Sequence, residues 1–101
     1  MEVTFSDDDL DRLETDEEMR TKWDKGVVRA YRSRMRLLRE AVDERDIRAV
    51  VSPKNFYKLG GDKSHQHAFR LNIKWRLVIE IIKGNPKNTI RIVSIEDYHR
   101  G

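Results

Sequence analysis

The sequence contains no cysteine. Disulfide scaffolds and thiolate zinc sites are thereby excluded, and a reducing compartment suits the chain. Apolar residues are scarce, at 38%, a composition that fits a small globular protein with a polar partner. No apolar run approaches the roughly 20 residues needed to cross a membrane. The opening stretch MEVTFSDDDL lacks the positive start and apolar centre of a secretory leader, so a cytoplasmic protein without membrane association is expected. Also missing are a phosphate-binding glycine loop, a nucleophile elbow and a dinucleotide fingerprint, and no cofactor is expected.

What the chain has in quantity is charge, at 39% of its 101 residues, the length of a single domain over 1–101. The net charge of +3 hides an asymmetry. Residues 1–25 carry ten acids and four bases, whereas residues 26–101 carry eight acids and seventeen bases. A body this basic fits a polyanionic partner, most simply nucleic acid, or else a soluble surface that happens to be basic.

The periodicity changes part-way along the chain. Val3 and Phe5 alternate with polar neighbours as in a short strand. Ser6 followed by three aspartates reads as a helix cap with acids in its first turn. Val28, Tyr31, Met35, Leu38 and Val42 recur at spacings of three and four, one face of a longer helix. Arg29, Arg32 and Arg36 fall on another side, as a solvated face or as a stripe meeting RNA phosphates. DERDIRAV, residues 43–50, reads as a further helical turn with Ile47 and Val50 inward, stopped before Pro53. Beyond it the period is two. Strands are expected at 55–59, 65–72, 75–82 and 89–97, with turns at 59–64 and 83–88. The order β-α-α-β-β-β-β, with short turns between successive strands, predicts an α+β domain: a curved antiparallel sheet with helices on one face.

The other face is the place to look for chemistry. Arg70 and Arg76 point to it by parity. In the last strand Arg91, Val93, Ile95, Asp97 and His99 share one parity. If Ile90 and Ile92 face the helices, Asp97 and His99 join the arginines, unless a bulge between 92 and 95 reverses the pattern. Cleavage of RNA by its own 2′-hydroxyl needs a base, an acid and cations that stabilise the phosphorane. Asp97, His99, Arg70 and Arg76 supply each type. By itself, an Asp-Tyr-His at a strand end is more commonly a solvated terminus. His65 and His67 alternate on a strand, but no third metal ligand accompanies them, and partial burial at the sheet end is the simpler reading.

The stretches LGGDKSHQHAFRLNIKWRLVIEI and IRIVSIEDYH resemble HigB-type toxins, the plasmid maintenance killer proteins of the RelE/ParE superfamily. The residues that carry the resemblance are Leu59, Gly61, Asp62, Lys63, His65–His67, Arg70, Asn72, Trp75 and Arg76, then Ile95, Asp97, Tyr98 and His99. The resemblance implies a RelE-like fold and a ribosome-dependent, metal-independent mRNA endonuclease. It implies a HigA-like helix-turn-helix antitoxin as partner, with operator DNA met only through the toxin–antitoxin complex. Carried over by motif, Asp97, Tyr98, His99 and Arg76 are the catalytic set. Arg70, Lys63, Lys58, Tyr57, Lys74 and Arg91 become RNA contacts, with Arg29, Arg32 and Arg36 along the helix. The chain departs from the family at Gly60, where lysine is frequent, and at Tyr57, where a histidine aligns; Lys58 and Lys63 are the nearby cations. A ParE-like inhibitor of a protein target, and an inactive relative acting as operon co-repressor, are the alternatives within the same superfamily.

Overall fold

Helix-period and strand-period segments separate along the chain as their patterns imply. The structure, a computed structural model, describes residues 1–19, 21–63 and 65–97. The elements run β1 (Glu2–Phe5), α1 (Asp8–Thr15), α2 (Lys25–Glu40), α3 (Glu44–Val50), β2 (Phe56–Lys58), a 3-10 turn (Gly61–Lys63), β3 (Gln66–Arg70), β4 (Trp75–Ile82) and β5 (Thr89–Asp97). All five strands form one curved sheet in the order β1-β5-β4-β3-β2. Strands β2 to β5 are antiparallel neighbours, joined by short connections, while β1 lies parallel to β5 at the edge.

The helices cover one face. Val27, Tyr31, Met35 and Leu38 of α2 are buried, together with Leu10 and Leu13 of α1 and Ile47 of α3. They meet Phe56, Phe69, Leu77, Ile79, Ile90 and Ile92 from the sheet in a single cluster. Truncating one of these large side chains to alanine costs about 2–5 kcal/mol through lost transfer energy and the cavity left behind. The Tyr31 hydroxyl donates to the Leu10 carbonyl at 2.6 Å, tying α2 to α1. Burial, reinforced by the Glu14 charge, pushes that phenol above its ordinary pKa and keeps it neutral.

Four local expectations are corrected. The cap of α1 is Asp7, whose carboxylate accepts from the Leu10 amide at 2.9 Å. Ser6 instead donates its hydroxyl to the Val93 carbonyl of β5. Val42 is 75% exposed, because α2 stops at Glu40 and Ala41 turns extended, taking the next residue off the helical stripe. Val50 is 69% exposed, since the seven-residue α3 turns only Ile47 fully inward and Val51, just beyond it, packs on the core. Arg32 is not part of a solvated row. Its guanidinium donates to the carbonyls of Leu13, at 3.0 Å, and Asp16, at 3.2 Å, and so caps the end of α1.

Candidate active site on the helix-free face of the sheet

Strand register lays out the second face in three rows. Tyr57, Ala68, Val78 and Ser94 stand opposite one another across β2, β3, β4 and β5. On one side of that row Gln66, Glu80 and Arg91 are in register, and on the other Arg70, Arg76 and Glu96. The first charged row is self-contained. Glu80 accepts from Gln66 at 3.3 Å and from Arg91 at 3.1 Å, and lies 3.2 Å from His65. These partners hold its carboxyl below the usual carboxylate range against the opposing effect of burial. Arg91, expected to contact RNA, is therefore already engaged.

In the second charged row Arg76 is not saturated in this way. Arg76 is only 9% exposed, yet its Nε meets no hydrogen-bond partner among the described residues. The nearest carboxylate is Glu96, at 4.0 Å from the guanidinium, too far for a hydrogen bond. Glu96 itself accepts from the Ser94 hydroxyl at 2.5 Å. Arg70 stands beside Arg76 on β3, its Nε on the Asn72 carbonyl at 3.1 Å. Two guanidinium groups in register repel each other unless an anion lies between them, and a phosphate satisfies both through forked donors.

The bulge that the sequence allowed is present, and it reverses the parity expected for Asp97. Register shifts between Val78 and Ile79, leaving Val93 without a counterpart on β4. Ile90 and Ile92 face the core before it, and Ile95 packs on the core after it. Glu96 thus lies across from Arg76, while Asp97 lies across from Trp75 on the side of the helices. Glu96 is the functional candidate that sequence reasoning missed. Its signal was there: with one residue bulged, the face of Arg76 passes from Asp97 to its neighbour. Tyr98 and His99 lie outside the described residues.

The remaining expected contacts are spread over several surfaces. Tyr57 stands in the middle row of the helix-free face. Lys58, in register with His67, and Lys63, in the turn before β3, sit toward the other end of β3 from Arg70, Lys58 being about 10 Å along the strand at 3.3 Å per residue. Lys74 is in the β3–β4 turn, its ammonium 5.0 Å from the Trp75 ring centre. Arg29 and Arg36 are exposed on α2 and border a groove of about 640 Å³ between that helix and the chain following α1.

A solved structure of a YoeB/ParE toxin from Agrobacterium tumefaciens is similar over 98% of this chain and 100% of that one, with a TM-score of 0.61 and 13% sequence identity. The chain has the fold of a YoeB/ParE toxin. No protein-family model and no curated protein matches the sequence. In this toxin fold the helices back one face of the sheet, and the opposite face carries Arg70, Arg76 and Glu96 on three neighbouring strands. Strand-borne groups are held more rigidly than loop-borne ones, so these three side chains keep a fixed geometry relative to one another.

Proposed function

We propose that this chain is the toxin of a type II toxin–antitoxin pair of the HigB kind, an endoribonuclease that cuts mRNA on the ribosome. The observation that carries the reading is Arg76: a guanidinium nine-tenths buried on the helix-free face, with an Nε unpartnered among the described residues and a second arginine in register beside it. The HigB assignment itself rests on the motifs around Arg70–Arg76 and Asp97–His99. A HigA-like antitoxin is the partner that holds such an activity in check, and it supplies any contact with operator DNA.

The reaction needs no metal. The 2′-hydroxyl loses a proton and its oxygen attacks the adjacent phosphorus. The P–O5′ bond breaks, and the leaving oxygen takes up a proton. Arg76, aided by Arg70, stabilises the charge of the phosphorane. Glu96, in register with Arg76, is the carboxylate better placed to accept the proton; Asp97, on the other side of the sheet, is not. His99 is the proposed acid, and Tyr98 and Tyr57 are proposed substrate contacts.

The test is induced expression followed by mapping of mRNA 5′ ends, repeated with Glu96→Gln and Asp97→Asn. Cuts within translated frames are expected. Glu96→Gln is expected to lower the rate by about 10²–10⁴ and Asp97→Asn by far less. Intact mRNA in growth-arrested cells overturns the nuclease reading. One observation favours a second reading, the ParE-like inhibitor of a protein target: the bulge removes Asp97 from the face of Arg76 and leaves a thinner acid–base set there. Arrest with damaged DNA and intact mRNA is its signature.

A further inference from the structure

At the end of the sheet where β4 begins, Trp23 and Trp75 meet edge to face, ring centres 4.7 Å apart. Each ring carries a lysine: the Lys22 ammonium is 4.9 Å from the Trp23 centre and that of Lys74 is 5.0 Å from Trp75. The two rings, both lysines, Ile95, Glu96 and Asp97 border a cleft of about 470 Å³ at this end of the sheet. Both tryptophans are half-buried and both lysines exposed. Two short turns hold the rings in place. The Thr21 hydroxyl accepts from the Trp23 amide at 3.2 Å, and the Asn72 side chain accepts from the amides of Lys74 and Trp75 at 2.8 and 2.7 Å.

We propose that this cleft binds one unpaired purine nucleotide of the RNA, guanine preferred, beside the phosphate held at Arg76. A nucleotide offers a π-face, an anion and an edge of polar hydrogens, and the cleft has a complement to each. A base stacked on indole gains more than an exposed ammonium over the same ring, so the base displaces the lysine stems. The released ammonium groups then meet the flanking phosphates. Asp97, which faces Trp75 across the β4–β5 pair, only accepts hydrogen bonds when ionised. Guanine presents two adjacent N–H donors to such a carboxylate; adenine does not. An acidic peptide satisfies the lysines but leaves the rings unused. Trp75 and Arg76 are consecutive residues of β4 and point to opposite faces, so a strand held at Arg76 reaches the cleft by turning round the end of the sheet.

The proposal rests on the reading of the protein as RNA-binding, and its test is independent of cleavage. The chain contains two tryptophans, both in this cleft, and since Trp23 also borders the groove beside α2, the titration is repeated with Arg29→Glu and Arg36→Glu, which are expected to leave the guanine-dependent quenching in place. The whole protein is titrated with 2′-O-methyl RNA hexamers, which lack the attacking hydroxyl, of oligoadenylate with or without one central guanine. Saturable quenching is expected, tighter for the guanine hexamer. Trp23→Ala is expected to weaken binding roughly 5- to 150-fold. Trp23→Phe and the paired change Lys22→Gln, Lys74→Gln disturb packing less and are expected to weaken it by smaller factors. Asp97→Asn is expected to abolish the preference for guanine while leaving the oligoadenylate affinity near wild type. Binding without quenching, no saturable quenching, or folded variants that bind as wild type each overturn the proposal. If mRNA stays uncut in cells but the quenching and its variants behave as stated, the nuclease reading falls and the nucleotide cleft stands. Normal cleavage without quenching is the reverse.

Discussion

Arg76 is a cation taken almost out of water with no hydrogen-bond partner for its Nε among the described residues. Such a group weakens the fold unless an anion arrives, because a buried donor left unmade costs its desolvation. Arg76→Met keeps the length and removes the charge. It is expected to hold stability at wild type or raise it by about 1 kcal/mol, while cleavage of a ribosome-bound mRNA falls by about 10²–10³. Arg76→Lys is expected to recover only part of the rate, since an ammonium lacks the forked donors. A fall in melting temperature with Arg76→Met instead makes the residue a structural one. Among the described residues His67 is the other group with a buried unpartnered atom, its Nδ1. Its ring stacks on Phe56, 5.2 Å between centres, and its Nε2 lies 3.2 Å from Glu44 of α3. Burial holds the His67 pKa below the ordinary imidazole value against the pull of Glu44, with Arg48 and Lys58 adding to the depression. The unfolded chain therefore takes up a proton near pH 6.5 that the fold resists, so this contribution is complete above that pH and declines as pH falls below it. Glu44, held low mainly by its hydrogen bond from Arg48, adds a further loss only at lower pH, through the carboxylate range. His67→Phe leaves Glu44 with Arg48 at 2.8 Å. Urea midpoints at pH 7.5, 6 and 5 are expected to show a decline between 6.5 and 5 in the wild type and a flatter profile in the variant. Equal slopes rule out His67 as the cause.

Among the elements, β5 decides the most with the least warning in its sequence. The bounds of β4 and β5 coincide with the residues that alternation marked, because each strand is flanked by turn-forming residues and carries its own apolar parity. The faces of Arg70 and Arg76 were legible for the same reason. The bulge was legible only as an alternative. Ile92, Val93, Ser94 and Ile95 contain three apolar residues in four, so parity fits equally well with Val93 in line or skipped, and packing against β4 makes the choice. Leu77 needs a core-facing neighbour and finds Ile95. The end of α2 was illegible for a similar reason. Val42 fits the helical stripe, but the chain leaves the helix at Ala41 and the Val42 amide donates to the Asp46 carboxylate of α3. Deleting Val93 tests whether the bulge only offsets the register. The regular strand is expected to keep Ser94, Ile95, Glu96 and Asp97 across from Val78, Leu77, Arg76 and Trp75. With those pairs kept, stability is expected to change by no more than about 1 kcal/mol, a shift in melting temperature of at most about 4–8 °C. A larger fall in melting temperature shows that the bulge itself holds β5 against β4.

At the scale of the whole molecule the acidic first quarter and the basic remainder are packed against each other only in part. Glu14 of α1 holds Arg39 of α2 through two bonds of 2.6 and 2.7 Å, and Arg32 caps the end of α1. Those two arginines are committed to the fold. Arg29 and Arg36 are not held in this way: they are exposed along the groove beside α2 and are the members of the expected stripe that remain available to a polyanion. They lie on the helix layer, away from Arg76, so their role in the proposed reaction is association rather than catalysis. Ribosomal RNA offers phosphates on every side of a bound protein, and each one neutralised contributes roughly 0.7–0.9 to the slope of log affinity against log salt. Arg29→Glu with Arg36→Glu is expected to lower that slope by roughly 1.4–1.8. The single-turnover rate on ribosomes saturated with the variant is expected to stay near wild type, and the melting temperature to change little, since surface changes away from special contacts are nearly neutral. Arg32→Glu is the control that separates charge from structure. It removes the cap on α1 and places a carboxylate against two carbonyls, so it is expected to lower the melting temperature as well as the affinity. The checks are ribosome co-sedimentation at several salt concentrations and a melting curve for each variant. A slope unchanged by the double reversal makes Arg29 and Arg36 a solvated face and confines RNA contact to the sheet.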